Sequence, residues 1–383
     1  MKVRTVTAGV HVHFSDLDLQ MEKTGRFLGR AKDLFNDKGM EVQTLRISTQ
    51  SWITYLINRT EDGLINSVKD IEASARKNGI DFISVGPSIT PAFIRSIPKI
   101  LSETTFVCTS AFLGDLISGP IEDNIIAASE MVKEISKISQ DGSRNFMFAS
   151  TASCPPDIPF FPAAYHGGGI SSFSIGMESG DVVNRAAERT SDLKEFERFL
   201  GHLYNQELEK VQGVCLELES SSDLEFRGID LSFAPGLDEG CSIANAMESL
   251  IGSPFGSNGT LSAASAITRS LSDVTVRRCG YSGLMLPVME DEGLANAADA
   301  GALDLQKLLL YSSVCGTGLD AVPIPGETPT DRIASVLRDV AYLSTKLNKP
   351  LSARLLPIPG RGSGEMTDLG SEYLRDCSIL PLI

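Results

Sequence analysis

The ionisable residues in the second half of this chain sit where apolar runs give way to glycine and proline. Arg354, in SARLLPIPG, carries the planar fork of donors that grips a carboxylate, a geometry that serves a structural ion pair equally well. Glu248, in SIANAMESLIG, lies at the edge of an apolar helical face, where a carboxylate acts as general base or metal ligand or is simply solvated. Glu290 and Asp291 follow the apolar run LMLPVM; such a pair can hold a hard divalent cation such as Mg²⁺ or Ca²⁺, or open a helix favourably. Cys315, in SSVCGTGLDAVPIPG, is a nucleophile if a neighbouring cation or helix terminus lowers its pKa, and otherwise a small buried hydrophobe. Asp320, in the same segment, offers an alternative acid or base.

The segment GSPFGSNGT, residues 252–260, opens directly onto the small-residue helix pattern LSAASAITRSL. Gly256, Gly259 and Thr260 can present backbone N–H groups at a helix N-terminus to a carboxylate or phosphate. The alternative is a glycine turn capped by Thr260. The segment lacks the lysine of a Walker loop and the spacing of a dinucleotide fingerprint. Histidine is scarce. His166 lies in PAAYHGGG, where an exposed general acid or base is plausible in kind. His11 and His13, two apart on a strand, face the same side; with His166 and a carboxylate they could form the shell of a metal-dependent hydrolase. His202 sits in a charged helix.

Five loops between residues 228 and 365 follow short apolar runs: GIDLSFAPGLDEGCS, IGSPFGSNGT, RCGYSGLMLPVMEDEG, SSVCGTGLDAVPIPGETP and ARLLPIPGRGSGE. Loops on a rigid scaffold are where binding groups concentrate, and glycine permits sharp turns and close approach to a ligand. One composite small-molecule site is therefore expected.

The scaffold reads as α/β. Apolar, β-branched runs at 3–12, 42–47, 82–85, 106–112 and 146–149 alternate with helical patterns at 16–37, 62–77 and 121–138. That alternation predicts crossover units and a largely parallel sheet. A proline- and glycine-rich connection spans 153–178, then a charged helix 192–211, a strand at 214–218 and an amphipathic helix at 330–347. The chain divides most naturally near 150 into an N-terminal α/β half (1–150) and a loop-rich half (151–383) of one domain.

With 383 residues, 42% hydrophobic and 22% charged, the composition is that of a soluble globular protein. Lys plus Arg number 34 against 49 Asp plus Glu, a net charge of −15, which argues against nucleic-acid or anionic-membrane partners. No apolar run is long enough to cross a membrane, and MKVRTVTAGVHVHF reads as a strand, not a secretory signal. Seven scattered cysteines without a CxxC imply reduced thiols and a cytoplasmic location. Assembly as a homo-oligomer is expected from base rates.

The blocks FFPAAYH, GIDLSFAP, SIANAMES…SPFGSNGTLSAASAIT, GLMLPVMED, SSVCGTGLDAVPIPG and ARLLPIPGRGSGE, in order from about residue 3 to 374, resemble the domain-of-unknown-function 711 family. That family is similar to uncharacterised protein family 210, and both group with the pyruvate formate-lyase-like barrels. The resemblance implies a ten-stranded α/β barrel around a central loop, instead of the open doubly wound sheet that alternation alone suggests. Its motifs fall on Arg46, His166, Asp230, Glu248, the 256–260 loop, Glu290, Asp291, Cys315, Asp320 and Arg354, with no role assigned to any. Arg277–Tyr281, RRCGY, superficially resembles a glycyl-radical stretch, but a long segment follows and SGLMLPVMED does not fit, so a radical at Gly280 is rejected.

The expectation is a non-radical enzyme, a lyase or hydrolase, acting on a small carboxylate or phosphate metabolite. The 256–260 loop, Arg46 and Arg354 would hold the anion. Glu248 or His166, with Cys315 and Asp320 as alternatives, would do the chemistry, and Glu290 and Asp291 would hold the cation. A non-catalytic metabolite sensor and the metal-dependent hydrolase are the alternatives.

Overall fold

A computed structural model describes residues 1–56 and 60–382 of the chain. Strand β1 (Lys2–Val10) is buried at nearly every position, the signature of a strand covered on both faces. Val6 and Ala8 join the main core, whereas Thr5 and Thr7, two apart and so on the same face, hydrogen-bond to each other. The helix Leu17–Asp37 follows because Met21, Thr24, Phe27, Leu28, Ala31 and Phe35 recur every three or four residues and bury one stripe.

The remaining strands are β2 (Val42–Thr49), β3 (Phe82–Ser88), β4 (Val107–Asp115), β5 (Gly119–Pro120), β6 (Phe148–Ala152), β7 (Ser172–Glu178), β8 (Glu225–Asp230), β9 (Arg278–Cys279), β10 (Gly318–Pro325) and β11 (Leu351–Ile358). Among the described residues they form one eleven-stranded sheet, ordered β10-β11-β6-β4-β3-β2-β1-β7-β8-β9, with β5 hairpinned onto β4. The pairs along β1, β2, β3, β4 and β6 are parallel, as are β7–β8, β8–β9 and β10–β11. The two sets meet antiparallel at β1/β7 and at β6/β11. The mixed α/β, largely parallel architecture is as expected.

The ladder is not a closed ring: β9 and β10 stand at its two ends. Between those ends two isolated parallel pairings occur, Phe233 with Leu284 and Pro287 with Asp320.

Two cores lie on opposite sides of the sheet. The larger fills the space between strands and helices. The smaller comprises Ile158, Phe160, Ala163, Ala234, Tyr281 and Met285. Its centre is the loop after β6, which is tied to three strands. Thr7 Oγ1 donates to Pro159 O at 3.0 Å, Ser84 Oγ to Ala164 O at 2.6 Å, and His166 N to Thr49 O at 2.9 Å.

Three expectations need correction. Residues 214–218 are not a strand, because helix Leu193–Ser220 runs through them. Leu208, Val211, Cys215 and Leu218 continue its buried stripe at helical spacing, so the apolar run VCLEL belongs to the helix. The connection 153–178 ends earlier than expected, since Ser172–Glu178 is β7. The first strand stops at Val10, so His11 and His13 lie beyond it. A division at 150 would fall within β6, which pairs with both β4 and β11.

Candidate active site: a cavity closed by three arginines

Strands of both sets send side chains into one interior cavity of about 80 Å³, roofed by the loop residues Phe160, Phe161, Pro162 and Ala163. A single water needs roughly 10–15 Å³ measured this way, so the space has room for a small molecule.

Its polar wall is an ion network. Arg4, on β1, pairs with Glu178 at 3.2 Å and with Glu290, and also donates to Pro235 O at 3.3 Å. Arg354, on β11, pairs with the other oxygen of Glu290 and, through Nε, with Asp320 at 2.7 Å. Asp320 reaches Arg354 from an irregular stretch of β10. The register shifts between Leu319 and Val322, and Ala321 takes a left-handed φ of 44°, the mark of a bulge that re-aims its neighbours. Burial raises the Asp320 carboxyl above the ordinary range; Arg354 opposes the rise and Glu290 reinforces it. Burial alone would lower the Arg354 guanidinium, but Asp320 and Glu290 hold it firmly charged.

Arg46, on β2, differs. Its Nε donates to Thr44 Oγ1 at 2.9 Å, and its guanidinium lies 5.5 Å from the Phe82 ring and 5.1 Å from the Phe161 ring. Among the described residues its two terminal nitrogens meet no carboxylate and no hydrogen-bond acceptor. Burial, helped by the neighbouring Arg4 cation, pulls its pKa down to about 10. At neutral pH it remains a cation facing the cavity without a counter-ion.

Hydroxyls complete the lining. Tyr281 OH donates to Ser352 Oγ at 3.0 Å, and burial pushes the phenol well above its usual range. The backbone carrying Tyr281 is held by Asp230, which accepts from Tyr281 N at 2.8 Å, Ser282 N at 2.9 Å and Ser232 N at 3.0 Å. Gly280 is required beside it: its φ is 68°, and a Cβ there would stand 2.1 Å from Asp230 Oδ2. That contact gives the RRCGY glycine a structural reason to exist. Cys108 also lines the cavity, its thiol raised by burial to about 11.

The family model described as Uncharacterised ACR (DUF711) matches residues 1–370. The chain belongs to the DUF711 family. It is 28% identical to a UPF0210 protein of Bifidobacterium longum subsp. infantis, over 97% of this chain and 88% of that one. A UPF0210 protein of Neisseria gonorrhoeae is 27% identical over 96% of this chain and 88% of its own, and one of Oenococcus oeni 28% identical over 95% and 84%. These relatives carry no activity in their names.

Of the residues singled out in this DUF711 sequence, the cavity gathers Arg46, Glu290, Asp320 and Arg354. Four of the five loops contribute to it; IGSPFGSNGT does not. In that loop the donors are already taken: Phe255 N bonds to Glu248 Oε1 at 2.7 Å and Gly256 N to Thr260 Oγ1 at 3.1 Å. A Cβ on Gly256 would lie 2.5 Å from Ala302 O, so that glycine, like Gly259 with φ 105°, serves packing and turn geometry. Glu248 and Thr260 are thus internal caps of the loop, away from the cavity.

Cys315 is 1% exposed and lies in the main core. His166 is buried outside the cavity lining. Its Nδ1 lies 3.5 Å from Ser172 Oγ and 3.6 Å from Asp157, and its Nε2 has no partner. The ring centroids of His11 and His13 are 4.9 Å apart, and burial, then His13 and His166, lower the pKa of His11. His202 bonds to Gln206 at 3.0 Å on the exposed side of its helix.

Glu290 and Asp291 point apart. Glu290 is clamped by two arginines, while Asp291 accepts from Ser242 Oγ, Ile243 N, Ala244 N, Gly293 N and Leu294 N. The two carboxylates are held by separate sets of partners and do not converge on one site. Among the described residues no three His, Cys, Asp or Glu side chains are grouped to hold a metal.

The residues that sequence reading missed are Arg4, Glu178, Tyr281 and Ser352. Arg4 left one trace: a charged residue inside an otherwise buried strand needs a partner. The others sit in runs that read equally well as turn or strand.

Proposed function

We propose that this DUF711 protein is a non-radical enzyme, a lyase or hydrolase, acting on a small anionic metabolite bound in the interior cavity. The observation that carries the reading is Arg46: a half-buried cation facing open space with no carboxylate paired to it among the described residues. Desolvating a charge is costly unless a counter-ion meets it. The carboxylate or phosphate of a ligand would fill that role.

Asp320 is the proton carrier in this reading. Its carboxyl is raised towards the range useful in acid–base exchange, and Arg354 fixes its direction. Glu290 holds both Arg354 and Arg4 in place. Tyr281 and Ser352, whose protons go to Ser352 Oγ and Thr317 O, accept from a hydroxyl group of the substrate. No step is routed through a metal. The surrounding scaffold is read as a ten-stranded barrel of the pyruvate formate-lyase-like type; the isolated pairings of Phe233 with Leu284 and Pro287 with Asp320 support that reading. A cytoplasmic homo-oligomer remains part of the proposal, and no helix among the described residues is long and apolar enough to cross a membrane.

Incubating the protein with small carboxylates and phosphates in D₂O, read by NMR, tests this. Turnover or proton exchange that Asp320→Asn removes is the expected result. A ligand that binds yet neither reacts nor exchanges would make the cavity a receptor and end the enzymatic reading.

A further inference from the structure

We infer that the ligand class is the short monocarboxylate with a flat or compact apolar body and one hydroxyl group, and that phosphate esters are excluded. This inference rests on the reading of the cavity as an anion site, and it narrows that site by three features.

The first is charge. Arg4 and Arg354 are each already paired with carboxylates, Glu178 and Glu290 for one, Glu290 and Asp320 for the other. Only Arg46 is left to meet the ligand, so one cation is available for one negative charge. A phosphate monoester near neutral pH carries close to two charges and three acceptor oxygens. Sites for such groups add backbone N–H donors at a helix N-terminus or glycine nest. Here Pro162, Pro235 and Pro287 line the cavity and have no N–H to give. The one glycine-rich loop opening onto a helix points its donors at Glu248 and Thr260 instead.

The second feature is shape. Phe82 and Phe161 flank the Arg46 guanidinium and leave its outer edge as the accessible part. A carboxylate meets that edge in the plane of the fork, with two parallel bonds. The rest of the lining includes Phe146 and Met285, which suit an apolar body. A space of about 80 Å³, at roughly 10–15 Å³ per water, takes about five to eight non-hydrogen atoms.

The third is the hydroxyl pair. Tyr281 and Ser352 come from a different part of the sheet than Arg46, and both line the cavity. Tyr281 donates to Ser352 and Ser352 Oγ donates to Thr317 O at 3.2 Å, so the pair offers the ligand acceptor lone pairs, which a hydroxyl substituent meets and a plain hydrocarbon does not.

Thermal unfolding of the full chain tests the inference with crotonate, 2-hydroxybutyrate and inorganic phosphate as probes, at matched ionic strength. Crotonate and 2-hydroxybutyrate are expected to raise Tm saturably by about 2 °C or more, with 2-hydroxybutyrate the stronger, while phosphate does nothing beyond a salt control. Arg46→Met should unfold at a higher temperature than wild type without ligand, because a half-buried cation with no paired carboxylate has gone, and should lose both carboxylate shifts. Tyr281→Phe should bring the 2-hydroxybutyrate shift down to that of crotonate.

Stabilisation by phosphate equal to or greater than that by the carboxylates would overturn the monocarboxylate assignment and leave the anion site standing. Shifts of equal size in wild type and Arg46→Met, or none with any anion, would overturn the anion site itself. The comparison of probes on the wild-type protein needs no variant to fold.

Discussion

Asp320 and Arg46 share a cavity under different constraints. Asp320 has a paired counter-ion in Arg354, and Arg46 has none among the described residues. For Asp320 burial outweighs the attraction of Arg354, with Glu290 adding repulsion and Arg4 a weaker attraction. A carboxyl whose folded pKa lies above its unfolded value binds its proton more tightly in the native state. Its contribution to stability is therefore present at low pH and is lost as pH rises from the ordinary carboxylate range through the raised value. Asp320→Asn removes that dependence. Urea unfolding at pH 4.5 and pH 8 should thus show the variant gaining on wild type as pH increases. A variant that falls further behind at pH 8 would mean that the ion pair with Arg354 dominates and the carboxyl is depressed. Residues of this kind were partly legible in the sequence. Arg354 and Asp320 stood out because charged groups break apolar strand runs. Arg46 came only through the family's motifs, since nothing in QTLRIST says that its partner is missing.

Two elements that looked chemical are structural at closer range. Asp291 caps the helix Glu292–Asp299 and also accepts from both N-terminal amides of the helix Ile243–Ile251, joining two helix starts through one carboxylate. Asp291→Ala should cost about 2–4 kcal/mol, a cap plus buried amides left without partners, with no change in bound metal. Denaturant melts and elemental analysis check both halves; loss of a stoichiometric ion would contradict the structural role. The glycine loop at 252–260 misled for a physical reason. A free helix N-terminus and one satisfied by a side chain have the same local sequence, and only the tertiary position of Glu248 separates them. The helix Leu193–Ser220 teaches the converse: its buried stripe was readable, but a cluster of valines around Gly213 disguised its last turns.

At the scale of the whole molecule the strand–helix alternation was readable because each half of the sheet is locally parallel. The joining of the halves was not. Strand pairs β1/β7 and β6/β11 link residues far apart in sequence, and no local pattern encodes an antiparallel seam between two parallel sets. The cavity depends on those seams, because Arg4 and Arg46 come from one set and Asp320 and Arg354 from the other. The halves are therefore expected to unfold together. Circular dichroism and tryptophan fluorescence, the latter from Trp52 alone, should give coincident urea transitions. Separate transitions would mean that residues 1–150 and 151–383 fold as independent units.

The most direct measurement is a crystal structure of the wild-type protein grown with crotonate. Difference density inside the cavity, with the carboxylate against the terminal nitrogens of Arg46 and the hydrocarbon between aromatic rings, is the predicted result. A cavity holding only water, with crotonate absent or confined to surface lysines, would contradict it.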